Sequence, residues 1–358
     1  MAVIALTDNL SRCGQPPVAL TVADGSRLLA LPSAGRVLAL YPAGSDENFL
    51  WTHPALATAE SAADYFRRDG WPNPGGDRTW LAPEIELFIG DLGRAFETYS
   101  VQRALDPGRW TLASAANSEL SLAQTTRLRL HRSKCDIEVR MGTVLCPAAN
   151  PLPDAGLSFA GYRQITTLEV MAPPEAPVRL GIWNLLQLPQ PGTMLIPVRT
   201  ATTPQKVFGA FAEGEMAEDS RCVRWHMAPP GSDAKIALKA GVVTGRAGHI
   251  CATPCDAKST QGKPDTFDLV VREFSVGDER DYVDALWEPP HETGWAFQAC
   301  CVRNGAERFN ELEYHAPAAA SAPGPTFCRD ESRVWAFRGP ADAIRRAAAA
   351  LLGPCGEF

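Results

Sequence analysis

The chain has 358 residues, of which 45% are hydrophobic and 21% are charged, and its formal net charge is −7. This hydrophobic content excludes a disordered chain, and the negative charge argues against a nucleic-acid partner. No apolar stretch reaches the ~18 residues of a membrane-spanning helix, so no membrane partner is expected.

The first residues, MAVIALTDNLSRCG, lack the basic region and the long apolar run of a signal peptide. We therefore expect a cytoplasmic protein whose ten cysteines stay reduced. The 29 glycines and 30 prolines favour short strands and many turns over long helices. Because no linker interrupts this pattern, residues 1–353 are predicted to form a single domain, followed by a disordered tail at 354–358.

Alternation of apolar and polar residues predicts strands along most of the chain. Residues 36–41 begin this pattern. Residues 127–141 predict a hairpin with a turn at Ser133 and Lys134 and one buried face. The alternation recurs at 182–188, 267–271 and 295–299. The sequence therefore predicts an all-β fold built from large antiparallel sheets.

Few helices are expected. Ser61 and Asp64 form a candidate capping box for a short helix that ends before Gly70. Pro340 marks the start of a C-terminal helix that runs to Gly353. Its apolar face is predicted to cover a sheet.

The segment GWPNPGGDRTWLAPE, at 70–84, is dense in aromatic and polar side chains. Indole rings stack on the C–H face of a sugar, while amide, carboxylate and guanidinium groups bind its hydroxyls. Gly75 and Gly76 permit positive φ and close backbone approach. The predicted sugar-binding residues are Asn73, Asp77, Arg78, Trp80 and Glu84. The alternative is a packed loop whose Arg78 pairs with a neighbouring carboxylate.

A second polar segment, FNELEYHAP, begins at Phe309. In a strand, Glu311, Glu313 and His315 share one face. Chemistry at a sugar's anomeric carbon needs such groups, because a base removes the anomeric hydroxyl proton while an acid protonates the ring oxygen. These three residues are therefore the catalytic candidates. The alternative is a solvated outer strand face.

A third segment, GIWNLLQLP at 181–189, supplies Trp183, and the preceding Arg163 is a further candidate for binding a carboxylate or hydroxyl pair. The alternative for Trp183 is a core position. The chain lacks the G-x-S-x-G, Walker A, G-x-G-x-x-G and H-E-x-x-H motifs. This argues against common serine hydrolases, nucleotide hydrolysis and hydride transfer. No organic cofactor or metal is expected.

At GRVLALYP, GWPNPGGDRTWLAPE and ELEYHAP, the chain resembles the galactose mutarotase-like superfamily, more specifically an uncharacterised bacterial branch of it. The resemblance covers nearly the whole chain and implies a β-supersandwich whose concave face holds a sugar. Aldose 1-epimerases of the superfamily use a late-strand glutamate as base, which matches Glu313 or Glu311, with Glu313 favoured, and Arg78 matches a substrate anchor. Their mid-chain histidine acid has no counterpart at 150–190, so His315, His249 or His226 must serve.

The leading hypothesis is a sugar-active protein, monomeric or homodimeric, that uses acid–base chemistry at or near an anomeric carbon. One alternative is a polysaccharide lyase or glycoside hydrolase that uses the same cleft. Another is a carbohydrate-binding protein without catalysis. The resemblance leaves these open, because one fold hosts several functions.

Overall fold

The computed structural model describes residues 2–116, 118–172, 178–253, 266–303, 305, 307–320 and 326–356. Its α-helices are α1 (Val3–Arg12), α2 (Ala59–Arg67), α3 (Glu84–Leu87), α4 (Ala95–Thr98) and α5 (Ala341–Leu352). Its strands are β1 (Val18–Thr21), β2 (Arg27–Leu31), β3 (Arg36–Tyr41), β4 (Asp77–Ala82), β5 (Thr111–Ala116), β6 (Glu119–Leu130), β7 (Cys135–Pro147), β8 (Ser158–Ala172), β9 (Arg179–Leu188), β10 (Gly192–Pro197), β11 (Gln205–Phe208), β12 (Met216–Glu218), β13 (Cys222–Met227), β14 (Ala234–Lys239), β15 (Arg246–Thr253), β16 (Thr266–Phe274), β17 (Trp295–Val302), β18 (Phe309–His315), β19 (Ala319–Ala320) and β20 (Phe327–Pro340).

These strands form two large antiparallel sheets. The front sheet has the order β1-β2-β3-β4-β9-β18-β17-β14-β11, with β19 beside β9. The back sheet has the order β12-β13-β10-β15-β16-β20-β8-β7-β6-β5. Apolar residues of both sheets meet in one large core. The prediction of an all-β fold with large antiparallel sheets, a few short helices and a C-terminal helix is confirmed.

The hairpin predicted at 127–141 is present as β6 and β7. Leu128 pairs with Ile137 and both are buried, whereas Arg127 and Glu138 pair on the exposed face. Lys134 in the turn has a φ of 53°. The period-2 pattern therefore identified the buried face of this hairpin correctly.

The C-terminal helix covers part of the outer face of the back sheet, as predicted. In α5, Ile344, Ala348 and Leu351 join a buried apolar cluster with Trp335 and Phe337 of β20. Because α5 hides only one part of this face, the remainder stays open to solvent.

The predicted disordered tail is wrong for residues 354–356. Gly353–Gly356 form a 3-10 turn with Cys355 buried, while 357–358 lie outside the described residues. Cys355 forms a disulfide with Cys222, which corrects the expectation that all thiols are reduced. The two cysteines are 133 residues apart, so sequence spacing gave no indication of their pairing.

Two further corrections concern the first helices. Helix α1 was not predicted, and it packs Val3, Leu6 and Leu10 against the front sheet. Helix α2 is capped by Thr58, whose hydroxyl accepts a hydrogen bond from the Ser61 amide. The helix therefore begins about one turn before the capping box predicted at Ser61 and Asp64. No helix among the described residues has the length and apolar character needed to cross a membrane.

A fully buried ion pair joins the two sheets. Arg272 of β16 donates to Oδ1 of Asp77 in β4 at 2.7 Å, and the Tyr162 hydroxyl of β8 donates to Oδ2 at 2.6 Å. Both members of the ion pair have side chains with no solvent exposure. Because strand residues alternate in direction, Asp77 points toward the back sheet and Arg78 points to the opposite face of the front sheet.

We expect the Asp77→Ala variant to lose about 3–5 kcal/mol of unfolding free energy, because the guanidinium of Arg272 is left charged and buried without its partner. Urea denaturation of both proteins measures this difference. The control is Asp136→Ala, whose exposed pairs with Arg127 and Arg129 are worth less than about 1 kcal/mol. Equal losses in the two variants would contradict the role assigned to the buried pair.

Candidate active site

The candidate site is built on the front sheet, on the face away from the back sheet. Lys235 of β14, Cys300 of β17 and Glu311 of β18 lie opposite one another in register across three adjacent strands. Glu313 and Arg78 both pair in register with Leu185 of β9. Two carboxyl groups, one thiol and two cations thus lie together on one patch of the sheet.

An open cavity of about 370 Å³ lies over this patch. Its aromatic lining is Trp71, Trp80, Phe96, Tyr99, Trp183, Phe208, Trp287 and Phe309. Phe96 stacks edge-on against Trp287 with ring centroids 4.8 Å apart, and Phe208 stacks on the same indole at 5.2 Å. Aromatic walls above a charged floor are the general character of a small-molecule site.

Arg78 is held by aromatic rings and by a carboxylate. Its guanidinium lies 4.1 Å from the centroid of the Trp80 ring and donates to Glu311 Oε1 at 2.8 Å. Gln187 donates to the same oxygen at 3.0 Å. These contacts fix both Arg78 and Glu311 at the floor of the cavity.

Glu313 has one oxygen engaged and one free. Trp183 Nε1 donates to Oε2 at 3.0 Å, and Lys235 Nζ lies 3.2 Å from the same oxygen. Oε1 is buried and has no hydrogen-bond partner among the described residues. Burial raises the pKa of Glu313 to about 8, with Lys235 opposing the shift and Glu311 and Glu84 adding to it. At neutral pH this carboxyl group therefore carries a proton.

Glu84 forms the third carboxyl group of the floor. Tyr99 donates to its Oε1 at 3.3 Å, Trp287 donates to its Oε2 at 3.0 Å, and Lys235 Nζ lies 3.7 Å away. Burial raises the pKa of Glu84, although Lys235 lowers it. Burial disfavours the charge of Lys235, but Glu313 and Glu84 outweigh that effect and raise its pKa. Lys235 therefore links the two carboxyl groups as a fixed cation.

Six of the ten residues selected from the sequence line the cavity: Arg78, Trp80, Glu84, Trp183, Glu311 and Glu313. Asn73 lies behind it, where its Oδ1 accepts a hydrogen bond from Arg78 at 3.2 Å. Asp77 belongs to the pair between the sheets, because it alternates with Arg78 along β4. The structure thus brings the early loop and the late strand together, as the sequence predicted.

Two candidates are placed unfavourably for the predicted role. Arg163 is on the outer face of the back sheet, 3.6 Å from Glu331, because β8 belongs to the back sheet. His315 is buried and stacked on Trp183, with neither ring nitrogen hydrogen-bonded among the described residues. Burial and Lys235 lower the pKa of His315 well below its usual value, so the imidazole is neutral. Proton donation to a ligand from this position is disfavoured.

Sequence reasoning missed Lys235, Trp287 and Phe208. The indication for Lys235 was a lysine followed by three apolar residues in the strand AKIALK, a position where a charge needs a partner. Trp287 and Phe208 lie outside the three segments selected, and only the strand order brings them to the cavity. Their contribution depends on long-range contacts that no local pattern encodes.

The glycine pair of the early loop behaves as predicted. Gly75 and Gly76 have φ values of 100° and 83°. A Cβ atom at Gly75 would lie 2.3 Å from the Trp51 carbonyl oxygen, and one at Gly76 would lie 2.1 Å from that of Val37. Close backbone packing, as well as positive φ, therefore requires glycine immediately before Asp77 and Arg78.

One group of side chains has the composition of a metal site. Cys300, Glu311 and Glu313 each offer a ligand atom, and these atoms lie within 4.8 Å of one another. However, Arg78 contacts Glu311 and Lys235 contacts Glu313, so each of these carboxyl groups already has a cation beside it. A divalent ion at this position would be repelled by both, and the residues therefore fit a metal poorly.

No protein-family model matches the chain, and no curated protein matches it either. Similar solved structures include a galactose mutarotase-like protein from Lactobacillus casei ATCC 334, which is 11% identical with a TM-score of 0.45 and aligns over 90% of this chain and 99% of that one. A candidate aldose 1-epimerase from Escherichia coli K12 is 12% identical with a TM-score of 0.49, and the alignment covers 90% of this chain and 99% of that one. A galactose 1-epimerase from Lactobacillus acidophilus NCFM is 9% identical with a TM-score of 0.46, and the alignment covers 90% of this chain and 94% of that one.

The raised pKa of Glu313 predicts a pH-dependent stability. Between its ordinary pKa of 4.5 and about 8, the folded protein binds more protons at this group than the unfolded chain does. The free energy of unfolding therefore falls as pH rises through this window. Urea denaturation at several pH values, compared with the uncharged Glu313→Gln variant, measures the effect. Parallel pH profiles for the two proteins would contradict it.

Proposed function

We propose that this protein is a carbohydrate-active enzyme that binds a sugar in the aromatic cavity and transfers protons at or near its anomeric carbon. The observation that carries the proposal is the buried carboxyl group of Glu313, a residue that lines the cavity and whose Oε1 has no hydrogen-bond partner among the described residues. A buried polar atom without a partner is costly unless a ligand satisfies it.

The lining of the cavity supports a sugar as this ligand. A pyranose has an apolar C–H face, which indole rings such as Trp80 and Trp287 can cover, and a rim of hydroxyls that needs charged or amide partners. Arg78, Gln187 and Glu311 supply donors and acceptors at the floor. A volume of about 370 Å³ is within the range of small-molecule sites.

The arrangement of carboxyl groups supports acid–base chemistry. Protonated Glu313 donates its proton to the ring oxygen while Glu311 accepts the proton of the anomeric hydroxyl, and the bond between the anomeric carbon and the ring oxygen breaks. The open-chain aldehyde then rotates and closes again, which returns both protons and gives the other anomer. Lys235 holds Glu313 in place through Oε2 and leaves Oε1 for the proton transfer. A pKa near the working pH favours this transfer.

A second candidate function is cleavage of a glycosidic bond in the same cavity. Oxygens of Glu311 and Glu313 lie within 4.8 Å of each other, close to the separation of about 5–5.5 Å between the acid and the nucleophile of retaining glycosidases. Cleavage is distinguished by its products, because anomerisation leaves the sugar intact. A binding protein without catalysis would produce neither change.

The ligand class can be found with a thermal-shift panel of neutral hexoses, amino sugars, uronates, sugar phosphates and short glycans. A ligand at ~100 times its dissociation constant stabilises the folded state by about 2.7 kcal/mol. We expect at least one sugar to do so and expect the Trp80→Ala variant to lose this stabilisation. A panel without any stabilising sugar would contradict the proposed ligand class.

For a sugar that binds, proton NMR exchange between its anomers measures catalysis. We expect Glu313→Gln to lower the rate about 100-fold or more while binding persists, because the amide cannot transfer the proton. The matched control is Glu138→Gln, which removes an exposed carboxylate on the back sheet and should leave the rate unchanged. Full activity of Glu313→Gln would contradict the proton-transfer role.

A further inference from the structure

The back sheet carries a row of arginines that the proposed function does not use. Arg163 of β8, Arg333 of β20, Glu273 of β16 and Arg246 of β15 lie opposite one another in register on its outer face. This arginine row borders the C-terminal end of α5, where Arg246 donates to the Leu351 carbonyl oxygen at 3.1 Å. Its guanidinium side chains are between 38% and 42% exposed.

Beyond Arg246, the row continues into a cleft of about 740 Å³. Arg199, which follows β10, and Arg221, which precedes β13, line this cleft and are exposed. Their side chains make no ion pair or hydrogen bond with any described residue. From β13 to β8 the row crosses six adjacent strands, a distance of about 24 Å at ordinary strand spacing.

The charges of this surface are strongly unbalanced. Six arginines line it, since Arg329 flanks the row on β20, and the carboxylates that contact them include Glu273, Glu331 and Asp219, whose Oδ1 accepts a hydrogen bond from the Arg221 amide at 2.7 Å. Glu331 alone is shared by Arg163 at 3.6 Å, Arg329 at 3.1 Å and Arg333 at 3.0 Å. A chain with a net charge of −7 therefore concentrates an excess of positive charge on one open face.

The pairing within the row is unfavourable for the folded protein itself. Arg163 and Arg333 are direct cross-strand partners, and like charges in that position destabilise a sheet. Glu331, which contacts both guanidinium groups, offsets part of this repulsion. A bound anion would offset it further.

We propose that the arginine row binds an acidic oligosaccharide, one that carries a carboxylate or sulfate on successive sugar units. Guanidinium groups bind such anions through paired hydrogen bonds. The spacing between neighbouring strands, about 4.8 Å, is close to the length of one sugar unit in a linear chain. An extended ligand lying across the strands therefore meets an arginine at intervals along its length.

The shape of the surface favours a glycan over a nucleic acid. Single-stranded nucleic acids need aromatic side chains on which bases stack. The aromatic residues closest to the row, Trp335 and Phe274, are buried, with exposures of 7% and 5%. This site lies on the back sheet, so it is separate from the aromatic cavity, and its existence does not depend on the proposed function.

The test uses fluorescence anisotropy with an end-labelled hexamer of galacturonate. We expect binding that weakens with salt, and a loss of tenfold or more in affinity for the Arg163→Ala/Arg199→Ala double variant, which removes one arginine from each end. The matched control is Arg67→Ala/Arg345→Ala, which removes two exposed arginines from helices and should bind like the wild type. Because the Arg163→Ala/Arg199→Ala variant (the row variant) also relieves the repulsion at Arg333, it should fold at least as stably as the control.

Four results would overturn the proposal. The first is no binding of the hexamer by the wild-type protein. The second is an equal loss of affinity in the Arg67→Ala/Arg345→Ala control, because that result would show only non-specific electrostatic attraction. The third is binding that Trp80→Ala abolishes and the row variant retains, which places the hexamer in the aromatic cavity. The fourth is tighter binding of a labelled oligothymidylate than of the hexamer, which makes the occupant a nucleic acid.

Discussion

The buried pair between Asp77 and Arg272 is the constraint on which the arrangement of the site depends. It joins β4 of the front sheet to β16 of the back sheet in the dry interior, where Tyr162 completes the hydrogen bonding of the carboxylate. With Asp77 fixed toward the interior, strand alternation directs Arg78 to the opposite face of the sheet. Arg78 in turn orients Glu311, so an interaction outside the cavity determines the geometry inside it.

The same alternation separates two chemical surfaces on one molecule. In the front sheet, β4 and β18 turn Arg78, Glu311 and Glu313 toward an aromatic cavity, where burial raises the pKa of Glu313. In the back sheet, β8, β15, β16 and β20 turn arginines and glutamates toward the outer face. A concave site suited to one sugar and an open strip suited to an extended anion thus occupy opposite outer faces of the two sheets.

Local patterns were sufficient for the strands and for much of the site. Alternation in ELEYH correctly grouped Glu311 with Glu313, and the glycines at 75 and 76 correctly marked close backbone packing. Alternation does not state which sheet a strand joins, however, and Arg163 was assigned to the site for that reason. Similarly, Asp77 and Arg78 appear equivalent in sequence but face opposite sides of one strand. Lys235 reaches the cavity through pairing between distant strands, and Trp287 reaches it from the segment between β16 and β17.

The central claim is that Glu313 is a buried proton carrier that contacts a sugar. The most direct measurement is the titration of its carboxyl carbon by NMR in glutamate-labelled protein, assigned by comparison with Glu313→Gln. The account predicts a midpoint near 8, as burial implies, and a shift of that midpoint when a bound sugar reaches Oε1. A midpoint in the ordinary glutamate range, or a resonance that does not respond to a sugar that binds, would contradict it.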